Sequence, residues 1–578
     1  ISTYGSTDCS PNGPANALFP LGLAFPGEPG VPRGLTNTDY RGFAPRIGLA
    51  WSPGWTDGWL AKLTGGPGNF SIRAGFGLFY NPIEQLVLEQ FSAEPPFGGS
   101  IFLSNSNFNL PFVPLSSDPN AGPFTPNVFQ GIISTTPSTP TDWSQFRPML
   151  LFGEFQPHMK SQYSEQYNLT IERQMGKAMV MRVAYVGTEA HHLLGTHDID
   201  YGHAETCLQL NNIFDGDPLS GNTCGPFDSD SEFYIPPGTT IPDYTAPPGT
   251  PATTCNGLTL PYNAGSGGNC VPGGTVVSGN GIDLVGLRQY SSPMCQPMNV
   301  QFLNVGNSSS PGLKPVGVGC PADGVPVFSN IFAEDTIVNS NYNALQVSLD
   351  RNLSHGLLFQ ASYTLSKAID QGASFENALD PLNFNFTRGL SLNDARHRFV
   401  FSPYWELPIP KHEGFAGKVA NGWGLSAIFT YQSGFPIRIQ TQDDQELMSS
   451  FNFEDPNTPF VAGPVTFQNP KTSAANPTNQ FFSTNTFNNI SDPGLGQFGN
   501  LPHSLCCGPA LSNTDLVLEK KTPISERWNT EFRAEFYNAW NHTQFANPDG
   551  DFSDLTFGEI QKTREDPRVI QFGLKLIF

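Results

Sequence analysis

The sequence predicts an all-β fold, an antiparallel transmembrane β-barrel with long extracellular loops. Three observations carry that expectation: side chains alternate apolar and polar over runs of about ten residues, such runs recur along the chain, and short turns alternate with very long connections. Composition agrees. Only 14% of the 578 residues are charged, against about 25% in an ordinary soluble domain, whereas 59 Gly and 53 Pro speak against a helical bundle. Aromatic residues make up 12% of the chain, yet mean hydropathy is −0.25. No stretch approaches the roughly 18 to 20 uncharged apolar residues that a spanning helix needs. The 29 Lys and Arg against 50 Asp and Glu leave a net charge of −21, which argues against nucleic acid as a partner.

The elements follow in chain order. A first strand is expected near residue 43, with Arg46 on its polar side, and a second near 70, where Ile72, Ala74, Phe76, Leu78 and Tyr80 oppose Ser71, Arg73, Gly75 and Gly77. From Tyr163, Tyr167, Leu169 and Ile171 oppose Gln166, Asn168, Thr170 and Glu172; after a turn at 175–177, Met179, Met181, Val183 and Tyr185 oppose Arg182 and Ala184. Leu345, Val347 and Leu349 oppose Gln346, Ser348 and Asp350, and beyond a turn at 353–356 Leu357, Phe359, Ala361, Tyr363 and Leu365 oppose Gln360, Ser362, Thr364 and Ser366. Further on, Phe399, Phe401, Trp405 and Leu407 oppose Arg398, Ser402 and Glu406, and Trp423 to Tyr431 repeats the pattern. Near the end Trp528, Thr530, Phe532, Ala534, Phe536 and Trp540 oppose Arg527, Asn529, Glu531, Arg533 and Glu535.

In all, about 14 strands of roughly 9–11 residues are expected, beginning near 43, 70, 148, 163, 178, 191, 340, 355, 395, 421, 435, 512, 526 and 567. The long connections 81–147, 200–335 and 441–510 read as extracellular loops and the short ones as periplasmic turns. Lipid is the simplest partner for so long a repeated apolar face, because Arg or Lys at the bilayer midplane costs roughly 2–4 kcal/mol on a barrel's outer surface. Arg73, Arg182, Asp350, Arg398, Arg527, Glu531, Arg533 and Glu535 are therefore expected to face the lumen, against water or a plug. Segment 385–398, with Arg388, Asp394, Arg396 and His397, is expected to contribute similarly. Tyr80, Trp405, Tyr431 and Trp540 near strand ends are expected to form interfacial girdles.

Cysteines lie in loops. Cys207, Cys224, Cys255, Cys270, Cys295 and Cys320 are disulfide candidates, with sequential pairing one of several connectivities. Adjacent Cys506 and Cys507 make too strained a pair to be assumed bridged to each other. No catalytic constellation stands out, and a non-enzymatic protein without a cofactor is expected. The His191, His192, His197 and His203 cluster lacks a second ligand set. Asp549, Asp551, Asp554 and Glu559 lack the spacing of a calcium loop, and Asp228, Asp230 and Glu232, like Asp443, Asp444 and Glu446, read as solvated loop faces with a minor option of binding a divalent cation. Loop aromatics Phe102, Phe108, Phe112, Phe124 and Phe129 read as packing residues with sugar stacking as the alternative. The chain opens on Ile1 with neither a basic region nor an apolar core, so a processed or truncated chain without a signal peptide is expected.

The last residues, RVIQFGLKLIF, place Ile570, Phe572, Leu574, Leu576 and Phe578 outward and end on the aromatic itself. This resembles the C-terminal signal of bacterial outer-membrane proteins that the barrel-assembly machinery reads. Segments FAPRIGLAWSP (43–53), SIRAGFGLFYNP (71–82), SEQYNLTIERQM (164–175), VAYVGTEAHHL (183–193), SNYNALQVSLDR (340–351), ASYTLSKAID (361–370), DARHRFVFSPYWELP (394–408), GWGLSAIFTYQSGFPI (422–437), EFRAEFYNAWNHTQFANP (531–548) and FGEIQKTREDPRVIQFGLKLIF (557–578) together resemble the large Oar-like TonB-dependent receptors abundant in Acidobacteria. The resemblance implies a barrel of about 22 strands around an N-terminal plug, a TonB complex engaged through a preceding region, and ligand bound among the outward loops. The resemblance also implies a preceding β-sandwich, and this chain is expected to depart from that plan in plug, TonB box and sandwich. Residues 1–578 are accordingly expected to be the C-terminal part of the barrel, with a plugless passive channel or a surface structural protein acting through its loops as alternatives.

Overall fold

In the computed structural model the described residues are 33–34, 36–40, 42–83, 149–201, 328–372, 378–441, 457–468, 480–482, 489–494, 496–525 and 527–578, with short strands at 233–235, 254–255, 258–259, 282–285 and 301–304. Eleven strands form one continuous sheet in sequence order: β1 (Arg46–Trp51), β2 (Phe70–Asn81), β3 (Gln162–Met175), β4 (Met179–Asp198), β5 (Phe328–Ser354), β6 (Leu357–Asp370), β7 (His397–Glu406), β8 (Trp423–Gln432), β9 (Leu511–Pro523), β10 (Asn529–Tyr537) and β11 (Val569–Ile577). Every neighbouring pair is antiparallel. Among the described residues β1 and β11 each pair with one strand only, so the sheet has two free edges.

Register keeps the two faces separate across the whole sheet. Ile72 sits opposite Ile171, Ile171 opposite Val183 and Val183 opposite Val347, while Glu172 sits opposite Arg182 and Arg182 opposite Ser348. A slip of one residue at any pair would have mixed the faces, so the period-two pattern fixes the pairing. The connections divide the sheet into two ends. At one end lie the compact connections: Gly176 with φ 68° after β3, His355 and Gly356 with φ 53° and 75° between β5 and β6, and a turn at 524–528 between β9 and β10. Two connections at this end contain helices, α1 (Gly58–Thr64) between β1 and β2 and α2 (Gly414–Ala420) between β7 and β8. The long connections all leave from the opposite end. Among the described residues no helix is long and apolar enough to cross a membrane.

Three expected strands take a different form. The run expected to start near 191 is the continuation of β4: the positive φ of His192 and the register shifts of β5 between Asp335 and Ser340 absorb an irregularity without breaking the pairing. Met149–Phe155 pairs in parallel with the first part of β5 and stays outside the continuous order. The run near 435 is only the two-residue strand Ile437–Arg438, paired with Ser504–Leu505.

The buried hydrophobic residues lie mostly beyond the long-loop end of the sheet. Ile437, Ile439, Phe481, Phe482, Ile490, Leu501, Phe557 and Ile560 form one cluster, drawn from the β8–β9 and β10–β11 connections. Backbone hydrogen bonds tie these two connections together, Phe481 N donating to Gly558 O and Gln440 N to Gly550 O. Cys506 and Cys507, adjacent cysteines whose strain argues against assuming a bridge, are disulfide-bonded to each other across a cis peptide bond. Cys255 ends the short strand Thr254–Cys255; Cys207, Cys224, Cys270, Cys295 and Cys320 lie outside the described residues.

Candidate functional site

One face of the sheet is apolar and open, the other polar and charged. On the apolar face of β11, Phe572 is 67% and Leu574 76% exposed, although a buried side chain of this size gains about 1.5–3 kcal/mol on leaving water. Such a face needs an apolar medium. Phe572 stacks beside Phe532 with ring centres 6.2 Å apart, and Trp528 packs on Phe578 at 5.4 Å, so Phe572, Leu574, Leu576 and Phe578 continue the outward surface of β10.

The polar face carries two charge networks near the turn end. In the first, Arg182 Nε donates to Glu172 Oε2 at 3.3 Å, and one terminal nitrogen lies 4.0 Å from Asp350 Oδ2 and 3.5 Å from Ser348 Oγ. In the second, Lys521 Nζ lies 2.7 Å from Glu519 and Arg533 lies 3.2 Å from Glu535. Register adds Lys521 opposite Glu531, Glu531 opposite Lys575, and Glu519 opposite Arg533, so signs alternate across three strands. Arg182, Lys521 and Arg533 remain about half exposed, which gives this face to water or to a polar partner. Arg73, opposite Thr170, and Arg398, between Thr364 and Gln432, extend it.

The structure thus places seven of the expected lumen residues on one face. Arg527 differs: it falls in the 524–528 turn, where Ser525 N donates to Trp528 O, and β10 begins only at Asn529. Alternation alone continues through a turn and cannot mark where pairing stops. In segment 385–398, Asp394 is buried and accepts a hydrogen bond from Ala368 N, and His397 lies on the apolar face with Nδ1 2.9 Å from the Tyr363 hydroxyl.

At the loop end the apolar face is edged by Tyr and His. The Tyr185 hydroxyl donates to Asn343 Oδ1 at 2.6 Å, and the Tyr167 hydroxyl donates to the same oxygen at 3.2 Å and lies 3.3 Å from Glu189. Gly187 permits this arrangement, since a Cβ there would run into the Tyr167 ring. Tyr80 packs on Tyr163, and Tyr163 on His191. His191 and His192 are hydrogen-bonded to Asn339 and Thr336 and hold no common site; His203 lies outside the described residues. Asp549 and Asp551 accept from Asp551 N, Ser553 N and Thr556 Oγ1, a turn rather than an ion cage. Among the described residues no group of His, Cys, Asp and Glu is placed to hold a metal ion. The other acidic groups, Asp228, Asp230, Glu232, Asp443, Asp444 and Glu446, and the aromatics Phe102 to Phe129 lie outside the described residues.

Beyond this rim, β4 and β5 continue past the membrane-sized part of the sheet and carry buried polar side chains. Asp198 accepts from Asn330 Nδ2 at 2.7 Å and from Ile331 N. Glu334 accepts from Thr196 Oγ1 at 2.7 Å, and burial pushes its carboxyl up to about 7. Burial likewise lowers His503 to about 4, aided by Arg438.

A model of the outer membrane beta barrel domain matches residues 5–571, and the chain belongs to that family. It is an outer-membrane β-barrel protein. Solved structures similar to it include the outer-membrane transporter YddB from Escherichia coli (8% identity, TM-score 0.36, 88% of this chain and 38% of that one) and the siderophore receptor PirA from Acinetobacter baumannii (9%, 0.31, 92% and 40%). The toluene transporter TodX from P. putida is another (8%, 0.17, 81% and 73%). The chain spans about two-fifths or less of YddB, PirA and the ferric-catecholate receptor Fiu from E. coli. The matched proteins are described as transporters and receptors. A search of curated proteins finds no match.

Two features carry no local signal in the sequence. The helices α1 and α2 lie in connections for which the sequence predicts no element, and the hydrophobic cluster of the loop end is assembled from residues as far apart as Ile437 and Ile560, with no local period to announce it.

Proposed function

We propose that the chain is the wall of an outer-membrane transporter of the TonB-dependent type, with its polar face toward the lumen and its long connections toward the cell exterior. The observation that carries this reading is the continuous polar face of eleven strands with half-exposed ion pairs, opposite an apolar face that needs lipid. Side chains fill a ring of about 8 strands, but a wider one encloses a lumen that water or a plug must occupy. Arg73, Arg182, Asp350, Arg398, Glu531, Arg533 and Glu535 line that lumen or meet the plug, Arg527 sits at its turn-end mouth, and Phe572, Leu574, Leu576 and Phe578 are the strand that the assembly machinery reads. Ligand is held among the outward loops, and the TonB complex acts through a region outside this chain.

Strand parity supports a larger ring. With every neighbour antiparallel, β1 and β11 run in the same direction, so joining them directly would need a parallel pair. Further strands, odd in number, restore an all-antiparallel closure, and single-chain bacterial barrels have an even strand count. Intact mass and N-terminal sequencing of the native protein from outer membrane test the reading. A mass well above the 62.8 kDa of this chain, with a further globular segment, is expected; a mass near 62.8 kDa would overturn the gated transporter and leave a passive channel or a surface protein.

A further inference from the structure

The two helical turns repeat one sequence pattern. Residues 57–63 read DGWLAKL and residues 413–419 read EGFAGKV: an acidic residue, Gly, an aromatic, any residue, a small residue, Lys and an aliphatic. Both form seven-residue helices entered through a glycine of positive φ, Gly58 at 84° and Gly414 at 66°. The aromatic, the Lys and the aliphatic stand at i, i+3 and i+4, hence on one helix face, and that face is open: Trp59 is 73% and Phe415 83% exposed, with Lys62, Leu63 and Val419 exposed beside them and Lys418 exposed while its Nζ donates one hydrogen bond to Ile524 O at 3.3 Å.

Both helices hang from the apolar side of the wall. Arg173, an outward residue of β3, donates to Lys62 O in α1 at 3.1 Å. Trp423, an outward residue of β8, donates from Nε1 to Val419 O in α2 at 3.0 Å, and outward Lys520 donates to Asn421 O just after it. The same end gathers the tryptophans, since Trp51, Trp55, Trp59, Trp405, Trp423 and Trp528 all lie there. Of the described residues on the outward face of this end, Arg173, Arg351 and Lys520 are cationic, and the strands place no carboxylate there; Asp57 and Glu413 sit at the helix starts. Aromatics at the level of the glycerol groups with Lys and Arg directed at phosphates are what a membrane–water interface selects.

We infer that α1 and α2 are twin interfacial anchors, laying Trp59, Leu63, Phe415 and Val419 into the phospholipid monolayer at the turn end, with Lys62 and Lys418 on anionic headgroups. The two helices are carried by well-separated hairpins, so together they set the depth and tilt of the wall in the bilayer. This rests on the outward face being the lipid face.

Photocrosslinking tests it. A diazirine phenylalanine is placed singly at Trp59, Phe415, Leu574 and Leu555 in the complete protein, reconstituted in vesicles of phosphatidylethanolamine with or without phosphatidylglycerol. Leu574 reports the wall and Leu555, 103% exposed at the loop end, reports water. Lipid adducts are expected at 59, 415 and 574 and not at 555. Water adducts at 59 and 415 beside lipid adducts at 574 would overturn the anchors alone; loss of lipid adducts at 574 as well would overturn the membrane-wall reading and the anchors with it. In the K62Q/K418Q variant the preference of sites 59 and 415 for phosphatidylglycerol is expected to fall by about fivefold per lysine, with adduct yield at Leu574 unchanged. An undiminished preference would overturn the headgroup contact.

Discussion

The wall and the loop-end region bury their apolar residues in opposite ways. In the wall, large side chains such as Ile47, Leu49, Phe572 and Leu574 point outward and stay open, while the polar face holds the ion pairs. At the loop end the largest fully buried side chains, Phe332, Phe482, Leu379, Ile437 and Ile439, turn inward among loops, as in a soluble domain. The difference is one of solvent. Wall residues find their apolar medium in lipid, whereas loop-end residues must make their own by packing.

Substitutions sharpen that contrast. Phe482→Ala removes a fully buried ring that packs on Phe481 and Phe557 and is expected to cost the loop end about 3–5 kcal/mol. Hydrogen exchange should then rise at the Phe481 and Gly558 amides and stay unchanged in β8. Leu574→Arg puts a charge on the lipid face and is expected to destabilise the wall by about 2–4 kcal/mol in vesicles, while the same change at Leu555 is neutral; equilibrium unfolding in lipid distinguishes them.

Glu334 adds a pH dependence confined to the loop end. Its folded carboxyl, raised from 4.5 to about 7, keeps a proton that the opened segment releases. The stability it contributes is full below pH 4.5, is lost as pH rises toward 7 and stays lost above it, a loss on the order of 3 kcal/mol. Glu334→Gln should flatten the profile, read as amide exchange in residues 328–336 against pH. The smallest effect belongs to the wall's ion pairs: a double-mutant cycle on Glu172 and Arg182 should give a coupling of about 0.2–1 kcal/mol that fades with salt.

Legibility in the sequence divides along the same line. Wall strands declare themselves because an apolar side and a polar side impose a period of two, and Arg73, Arg182, Asp350, Arg398, Glu531, Arg533 and Glu535 share the polar face. Arg527 lies in the turn before Asn529 because alternation runs on past the point where pairing stops, and the expected strand near 191 merges with β4 because His192 and the shifts near Val338 interrupt the pattern of a strand that continues. Nothing local marks the loop end, where Ile437, Phe482 and Phe557 meet only through tertiary packing. The repeated pattern in 57–63 and 413–419 is present in the sequence, but seven residues are too few for a helical period to stand out between strands.

The most direct test of the central claim is the structure of the native protein in a lipid nanodisc. The account predicts that β1 and β11 each hydrogen-bond on their free edges to further antiparallel strands, with Leu574 in lipid and Arg182 and Arg533 facing the lumen. A ring closed by β1 pairing directly with β11, in parallel, would contradict it.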